Sequence, residues 1–135
     1  MRVGGRWWLV APVGVLFAAD VALTLCGQPA EYWAGDTSAA VEANPLAHPL
    51  LARSPWLFAG LATAWIVIVM AAILKWKHPA SAWLAAGVAL SHALGGSSWL
   101  ARTGPWGWVA AVAYLAAAVE LVGWSHRRAS SRPRA

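Results

Sequence analysis

Four long apolar runs, separated by short polar connections, limit what this chain can fold into more than any other feature. They lie at about residues 7–26, 56–74, 80–100 and 106–124. An α-helix needs about 20 apolar residues to cross the hydrocarbon core of a bilayer, and each run has that length. Backbone polar groups inside a membrane must bond within their own segment, which favours helices. The runs therefore predict an all-α polytopic membrane protein, with four transmembrane helices in an antiparallel bundle and a longer outer loop between helices 1 and 2.

The composition agrees with a membrane domain and narrows the expected partners. Of the 135 residues, 60% are hydrophobic and 11% are charged, whereas soluble domains carry roughly 25% charged residues. Lysine and arginine lie at the ends of the apolar runs beside tryptophans, so we expect the lipid bilayer as a partner and no nucleic acid. The single cysteine, Cys26, excludes an internal disulfide and a cysteine-based metal cluster. We predict one transmembrane domain, residues 1–126, and a disordered basic cytoplasmic tail, residues 127–135.

The distribution of positive charge predicts the orientation of the helices. The ten lysines and arginines divide into eight on one side (two at the amino terminus, two in the second connection and four in the tail) and two on the other. Because cytoplasmic segments carry the excess of positive charge, we expect a multi-pass protein of the inner membrane with both termini in the cytoplasm. Asp20 interrupts the first apolar run and Leu25 precedes Cys26, so we expect a retained helix rather than a cleaved signal peptide.

A group of polar residues is predicted to share one layer in the outer half of the bundle. Asp20 lies thirteen residues after Trp7, and His92 thirteen residues after Pro79, so each is about 20 Å above the inner interface. Thr24 follows Asp20 by one helical turn and projects from the same side of the first helix. A carboxylate at membrane depth is costly and is a candidate functional group. With residues of the second helix and the loop, the candidate cluster is Asp20, Thr24, Glu42, Asn44, His48, Thr63 and His92.

Glu120 is a second polar position that lies apart from this cluster. It follows Trp106 by fourteen residues, on an alanine-rich stripe of the fourth run, and is therefore near the inner interface. Its depth differs from that of Asp20 by on the order of 12 Å. We expect its side chain to extend to the interface or to pair with a nearby basic residue, namely Lys75, Arg127 or Arg128.

Several interpretations of the polar cluster are open. It can be structural, with Asp20, Glu42 and Asn44 tying the outer loop to the bundle by hydrogen bonds. It can respond to protons or cations, because histidine titrates in the physiological range and a carboxylate lies near it. It can also hold a divalent metal such as zinc or manganese, although none of the candidate ligands shows a recognised spacing. Those ligands are Asp20, Glu42, His48 and His92.

The order Asp20-x3-Thr24, followed by Glu42-x-Asn44-Pro45, resembles a family of small bacterial and archaeal multi-helix membrane proteins grouped as a domain of unknown function. The likeness covers mainly residues 10–75. The outer loop here is longer and richer in glycine, proline and acidic residues than the family pattern. The resemblance implies a membrane protein of three or four helices and carries no established activity.

The small, tryptophan-rich chain is typical of an accessory subunit. We predict a non-enzymatic accessory or assembly protein whose polar cluster locks the outer loop, with a membrane-protein partner or a second copy of itself, and no cofactor. The alternative is an intramembrane metal- or proton-dependent site, hydrolase-like or ion-responsive, formed by Asp20, Glu42, His48 and His92.

Overall fold

The structure is a computed structural model, and it describes residues 3–131. Within that range the chain is all-helical and contains no strand. In chain order the elements are α1 (Val3–Cys26), α2 (Ala30–Trp33), a 3-10 helix (Thr37–Ala39), α3 (His48–Leu51), α4 (Pro55–Lys75), α5 (Ala80–Leu100) and α6 (Gly107–Ser130). The predicted all-α class is confirmed.

Three of the long helices have the length and apolar composition needed to cross a membrane. They are the segments Gly5–Cys26, Pro55–Lys75 and Gly107–Ser130, and they agree with the prediction of a membrane protein. The remaining long helix, α5, has the same length as α4, 21 residues, but is less apolar. Serines, glycines and a histidine interrupt its alanines and leucines.

Helix α5 packs mainly against α1 and α6. Ala85, Ala89 and Ala93 are buried and follow one another at four-residue intervals, so they form one continuous strip on the helix. Small side chains on such a strip allow neighbouring backbones to approach closely. The bulky residues that cover the strip come from α1, where Leu9, Val13 and others are buried in the same core.

The connection between α1 and α4 folds into a compact cover over one end of the bundle, which we call the loop end. Tyr32 and Leu51, from the connection, pack with Phe58 of α4 in a small core of their own. The Ser54 hydroxyl accepts hydrogen bonds from the backbone N–H groups of Trp56 and Leu57. This serine caps the start of α4, since the first N–H groups of a helix have no partner inside it.

The carboxyl end of the chain differs from the prediction. A disordered tail was expected from residue 127, but α6 continues to Ser130. The physical reason is packing, because Ala129 is buried and its carbonyl oxygen lies against Gly5 of α1, where an added Cβ would be 3.0 Å away. The guanidinium of Arg128 also stacks over Trp124, at 5.4 Å from the ring centroid. Residues 132–135 of the predicted tail lie outside the described residues.

Candidate functional site

The site is centred on a direct contact between α1 and α5. His92 Nδ1 lies 2.8 Å from Asp20 Oδ2, and the two side chains are 22% and 20% exposed. An ionised carboxylate only accepts hydrogen bonds, so the imidazole donates its Nδ1–H to Asp20 in that state. The ring of Phe17 meets the imidazole edge-on, with 5.3 Å between ring centroids. The contact is therefore well formed but remains partly open on one side.

Gly95 makes room for the Asp20 carboxylate. It lies one turn after His92 on α5, and a Cβ at this position would be only 2.6 Å from Asp20 Oδ1. The next residue, Gly96, accommodates Tyr114 of α6 in the same way, with an added Cβ 3.1 Å from the phenol oxygen. The Tyr114 hydroxyl is buried and has no hydrogen-bond partner within residues 3–131. The two glycines thus allow polar groups from α1 and α6 to approach α5.

The Asp20–His92 pair forms part of the wall of a cavity of about 320 Å³ at the loop end. Its polar lining consists of side chains from α1, the loop and α5: Asp20, Thr24, Glu42, Asn44, Ser91, His92 and Ser98. Four aromatic residues complete much of the remaining wall: Phe17, Phe58, Trp65 and Trp99. The cavity therefore combines two carboxylates with aromatic faces, and no lysine or arginine between residues 3 and 131 lines it.

Two of the predicted cluster residues do not line this cavity. His48 is half-buried at the start of α3 and is not part of the lining. Thr63 was predicted to face inward, which is wrong, because its side chain is exposed on α4 while Ala62 and Trp65 line the cavity instead. The rise per residue placed Thr63 at a suitable depth. It did not place it on the correct face, because α4 is apolar on all sides.

The loop residues of the cluster bond locally rather than to Asp20. Glu42 Oε1 accepts a 2.7 Å hydrogen bond from the backbone N–H of Asn44. Asn44 Oδ1 in turn accepts one from the N–H of Leu46 at 3.0 Å. Within residues 3–131, Asp20 forms its only side-chain hydrogen bond with His92. The predicted lock between Asp20, Glu42 and Asn44 is therefore not made by hydrogen bonds.

Two residues that the sequence analysis missed hold the loop instead. Gln28 Nε2 donates to the carbonyl oxygens of Thr24 and Val41, and its Oε1 accepts from the N–H of Val41 at 2.8 Å. The Tyr32 hydroxyl donates to the Leu51 carbonyl at 2.9 Å. Burial raises the pKa of Tyr32 above its ordinary value. One sequence signal for this anchoring was available, namely a glutamine close after the first apolar run. A buried amide needs partners for both its donor and acceptor atoms.

Arg6 is a further missed residue, at the opposite end of the bundle. Arginines beside tryptophans were expected to anchor the chain in the membrane interface, but the Arg6 side chain packs inside the protein and is only 4% exposed. Its Nε donates to the Leu74 carbonyl at 3.0 Å, and its Nη2 donates to the Ser81 hydroxyl at 2.9 Å. Nη2 also donates to the carbonyl oxygens of Ile73 and Trp76. We call this set the Arg6 clamp; it satisfies carbonyls at the end of α4 that have no partner within the helix.

Glu120 is exposed on α6. Within the described part of the chain it forms no ion pair, so the alternative of pairing with Lys75, Arg127 or Arg128 is not realised.

The candidate metal ligands are only partly brought together. Asp20 and His92 are in contact and Glu42 lines the same cavity, but His48 does not. Among residues 3–131, no group of three or more His, Cys, Asp or Glu side chains is placed so that it can hold a metal ion.

Comparison with known proteins assigns this chain to no family. No family model matches the chain, and neither does any curated protein or solved structure. The family resemblance carried by Asp20, Thr24 and the Glu42-x-Asn44-Pro45 motif stays a prediction.

Proposed function

We propose that the chain crosses the membrane four times, because α5 spans the bilayer in addition to α1, α4 and α6. Its 21 residues extend about 31 Å at 1.5 Å per residue, enough for the hydrocarbon core. Three contacts with α1 support the assignment, because they follow the same order along both helices: Arg6 with Ser81, Asp20 with His92, and Gly27 with Trp99. A helix that accompanies α1 over its whole length crosses the same layer. Its serines and glycines are tolerated there because neighbouring helices cover them.

Four crossings place both termini on one side of an inner membrane. The one connection on that side, between α4 and α5, carries Lys77 and follows Lys75, and the carboxyl end carries Arg127 and Arg128. The positive-inside rule assigns this side to the cytoplasm. The helices then alternate in direction as an antiparallel bundle, and the loop end with its cavity faces the outer half of the membrane.

We further propose that this cavity binds a small organic cation and that protons compete with it. The observation that carries the proposal is the 2.8 Å Asp20–His92 contact on the wall of an open cavity that also holds Glu42. Carboxylates attract a cation through charge, and an exposed aromatic ring such as that of Trp65 attracts it through its quadrupole. A desolvated ammonium group gains on the order of 2 kcal/mol from each good aromatic contact.

Proton competition follows from the charges around His92. Asp20 of α1 and Glu42 of the loop are the acidic groups that line the cavity. The residues of α4 in the lining carry no titratable group, and Tyr114 of α6 lies behind Gly96. A neutral imidazole leaves two uncompensated carboxylates. A protonated imidazole adds a positive charge in contact with Asp20 and repels a second cation. Loss of the imidazole proton removes this repulsion, so we expect binding to be stronger as pH rises.

The test is calorimetric titration of the purified protein in detergent with phenyltrimethylammonium at about pH 8. We expect saturable binding that Asp20→Asn weakens at least about tenfold, a loss of about 1.4 kcal/mol. Glu31→Gln, which removes an exposed carboxylate of α2, is the matched control and should leave affinity unchanged. Tert-butylbenzene has nearly the same shape without the charge and should not bind. Equal affinity for both compounds would contradict the proposal.

A role as an accessory subunit is the second candidate, and one observation favours it. Glu120 is exposed on α6 together with Ala113, Ala116 and Ala117, so this face offers small residues and one carboxylate to a neighbour in the membrane. A carboxylate facing lipid is costly, whereas a basic or hydrogen-bonding partner would compensate it. Gentle extraction should then recover a larger complex or homo-oligomer that Glu120→Leu disrupts. Recovery of a monomer from both the wild type and the variant would exclude this role.

A further inference from the structure

A second concave surface lies between α5 and α6 at the loop end, and neither the cation site nor the Arg6 clamp uses it. This α5–α6 groove has a volume of about 410 Å³. Its walls are mostly apolar and include Ala111, Val112 and Leu115 of α6. Ser97 and Ser98 also line it, but their hydroxyls already donate to carbonyls of their own helix, at 2.8 and 2.7 Å. The walls therefore present little unsatisfied polarity.

Among the described residues, 3–131, Arg102 is the one charged residue that lines the groove. It lies two residues after the end of α5, and its guanidinium lies over the ring of Trp99, 4.7 Å from the ring centroid. It forms no ion pair with any residue between 3 and 131. Stacking on an aromatic ring fixes the plane of a guanidinium while leaving its N–H donors available.

The surroundings of Arg102 are those of a membrane interface. Trp106 and Trp108 lie close by in the chain and are 77% and 72% exposed. Tryptophan is enriched at the level of lipid headgroups, where its ring is partly in lipid and partly in water. The apolar groove thus begins at headgroup depth, with a positive charge at its mouth, and continues along α6 toward the bilayer core.

From this arrangement we propose that the α5–α6 groove is a binding site for an anionic phospholipid. Arg102 takes the phosphate, since a guanidinium offers paired donors that match phosphate oxygens. The alanine, valine and leucine side chains of the walls contact part of an acyl chain. Charge complementarity selects a lipid with net negative charge over a zwitterionic one, whose amine would face the same guanidinium. The groove borders the cation cavity, since Ser98 lines both, but the charged groups differ, because Asp20 and His92 do not line the groove.

The test uses native mass spectrometry of the full chain in detergent, with phosphatidylglycerol or phosphatidylcholine of identical acyl chains added. We expect phosphatidylglycerol adducts to be retained several-fold more than phosphatidylcholine adducts. Arg102→Gln should reduce this preference about fivefold, the loss of a partly screened charge-assisted bond. Arg53→Gln is the matched control, since Arg53 is also an exposed arginine outside the groove. An unchanged preference in Arg102→Gln would overturn the proposal.

A second pair of variants tests the acyl-chain part of the groove. Val112→Phe adds bulk to the groove wall and should lower the retention of both lipids by at least about twofold, because the aromatic ring occupies apolar space. Val109→Phe makes the same change at an exposed position of α6 that does not line the groove, and should have no effect. The same spectra report the oligomeric state. A dimer that Val112→Phe dissociates, with lipid adducts unchanged, would assign the groove to a second copy of the chain instead.

Discussion

The two ends of the bundle use a charged residue of α1 in different ways. Arg6 is 4% exposed, and its guanidinium reaches three backbone carbonyls and a hydroxyl. Asp20 is 20% exposed, and within residues 3–131 it has one side-chain partner beside an open cavity. A buried charge with four hydrogen-bond acceptors on neighbouring segments holds helices together, whereas a charge with unused acceptor capacity can bind a ligand. The comparison separates a structural site from a candidate functional one.

The largest expected effect is at the Arg6 clamp. Arg6→Leu leaves the carbonyls of Ile73 and Leu74 without this partner and should lower the free energy of unfolding by about 3 kcal/mol. The measurement is thermal unfolding in detergent. Arg127→Leu is the control, since Arg127 is an exposed arginine at the same end of the bundle, and it should change the Tm little. If both variants unfold at the wild-type temperature, the clamp is not structural.

The next effect sharpens the contrast at the Asp20 end. Gly95→Ala places a Cβ where the Asp20 carboxylate now lies, so it should displace Asp20 and lower the free energy of unfolding by about 1–2 kcal/mol. The same variant should also weaken cation binding, measured by calorimetry. Gly87→Ala, on the same helix, is the control, because its added Cβ meets nothing within 4 Å. Wild-type affinity in Gly95→Ala would show that the position of Asp20 does not matter.

The smallest effect concerns the loop that covers the cavity. Tyr32→Phe removes the hydrogen bond to the Leu51 carbonyl and should cost about 1 kcal/mol of stability. Because burial raises the pKa of Tyr32, its contribution is present below the ordinary value of 10.0 and is lost as pH rises beyond it. The difference in Tm between wild type and Tyr32→Phe should therefore shrink in alkaline buffer.

Tyr114→Phe is the control for this experiment. It removes a hydroxyl that has no hydrogen-bond partner in the described range, so it should cause no comparable loss of stability. An equal loss in both variants would mean that the Tyr32 hydrogen bond does not hold the loop.

The sequence predicted the long helices and the shared layer of Asp20 and His92 because both depend on one-dimensional quantities. Apolar length predicts a spanning helix, and the rise per residue places Asp20 and His92 in one layer. Predicting which face of a helix points inward requires a polar stripe along the helix. Helix α4 has none, so Thr63 was given the wrong orientation. The Arg6 clamp was missed because most of its acceptors are backbone carbonyls, which residue types do not encode. The anchoring of the loop by Gln28 was missed for the same reason.

The most direct test of the central claim is the affinity of phenyltrimethylammonium for wild type and His92→Gln between about pH 5.5 and 8. For wild type, affinity should rise with pH as the imidazole loses its proton and stops competing with the bound cation. For His92→Gln, which keeps a side chain able to bond to Asp20, affinity should be nearly constant across this range. A wild-type affinity that does not change with pH, or the same pH dependence in His92→Gln, would contradict a proton-responsive Asp20–His92 site.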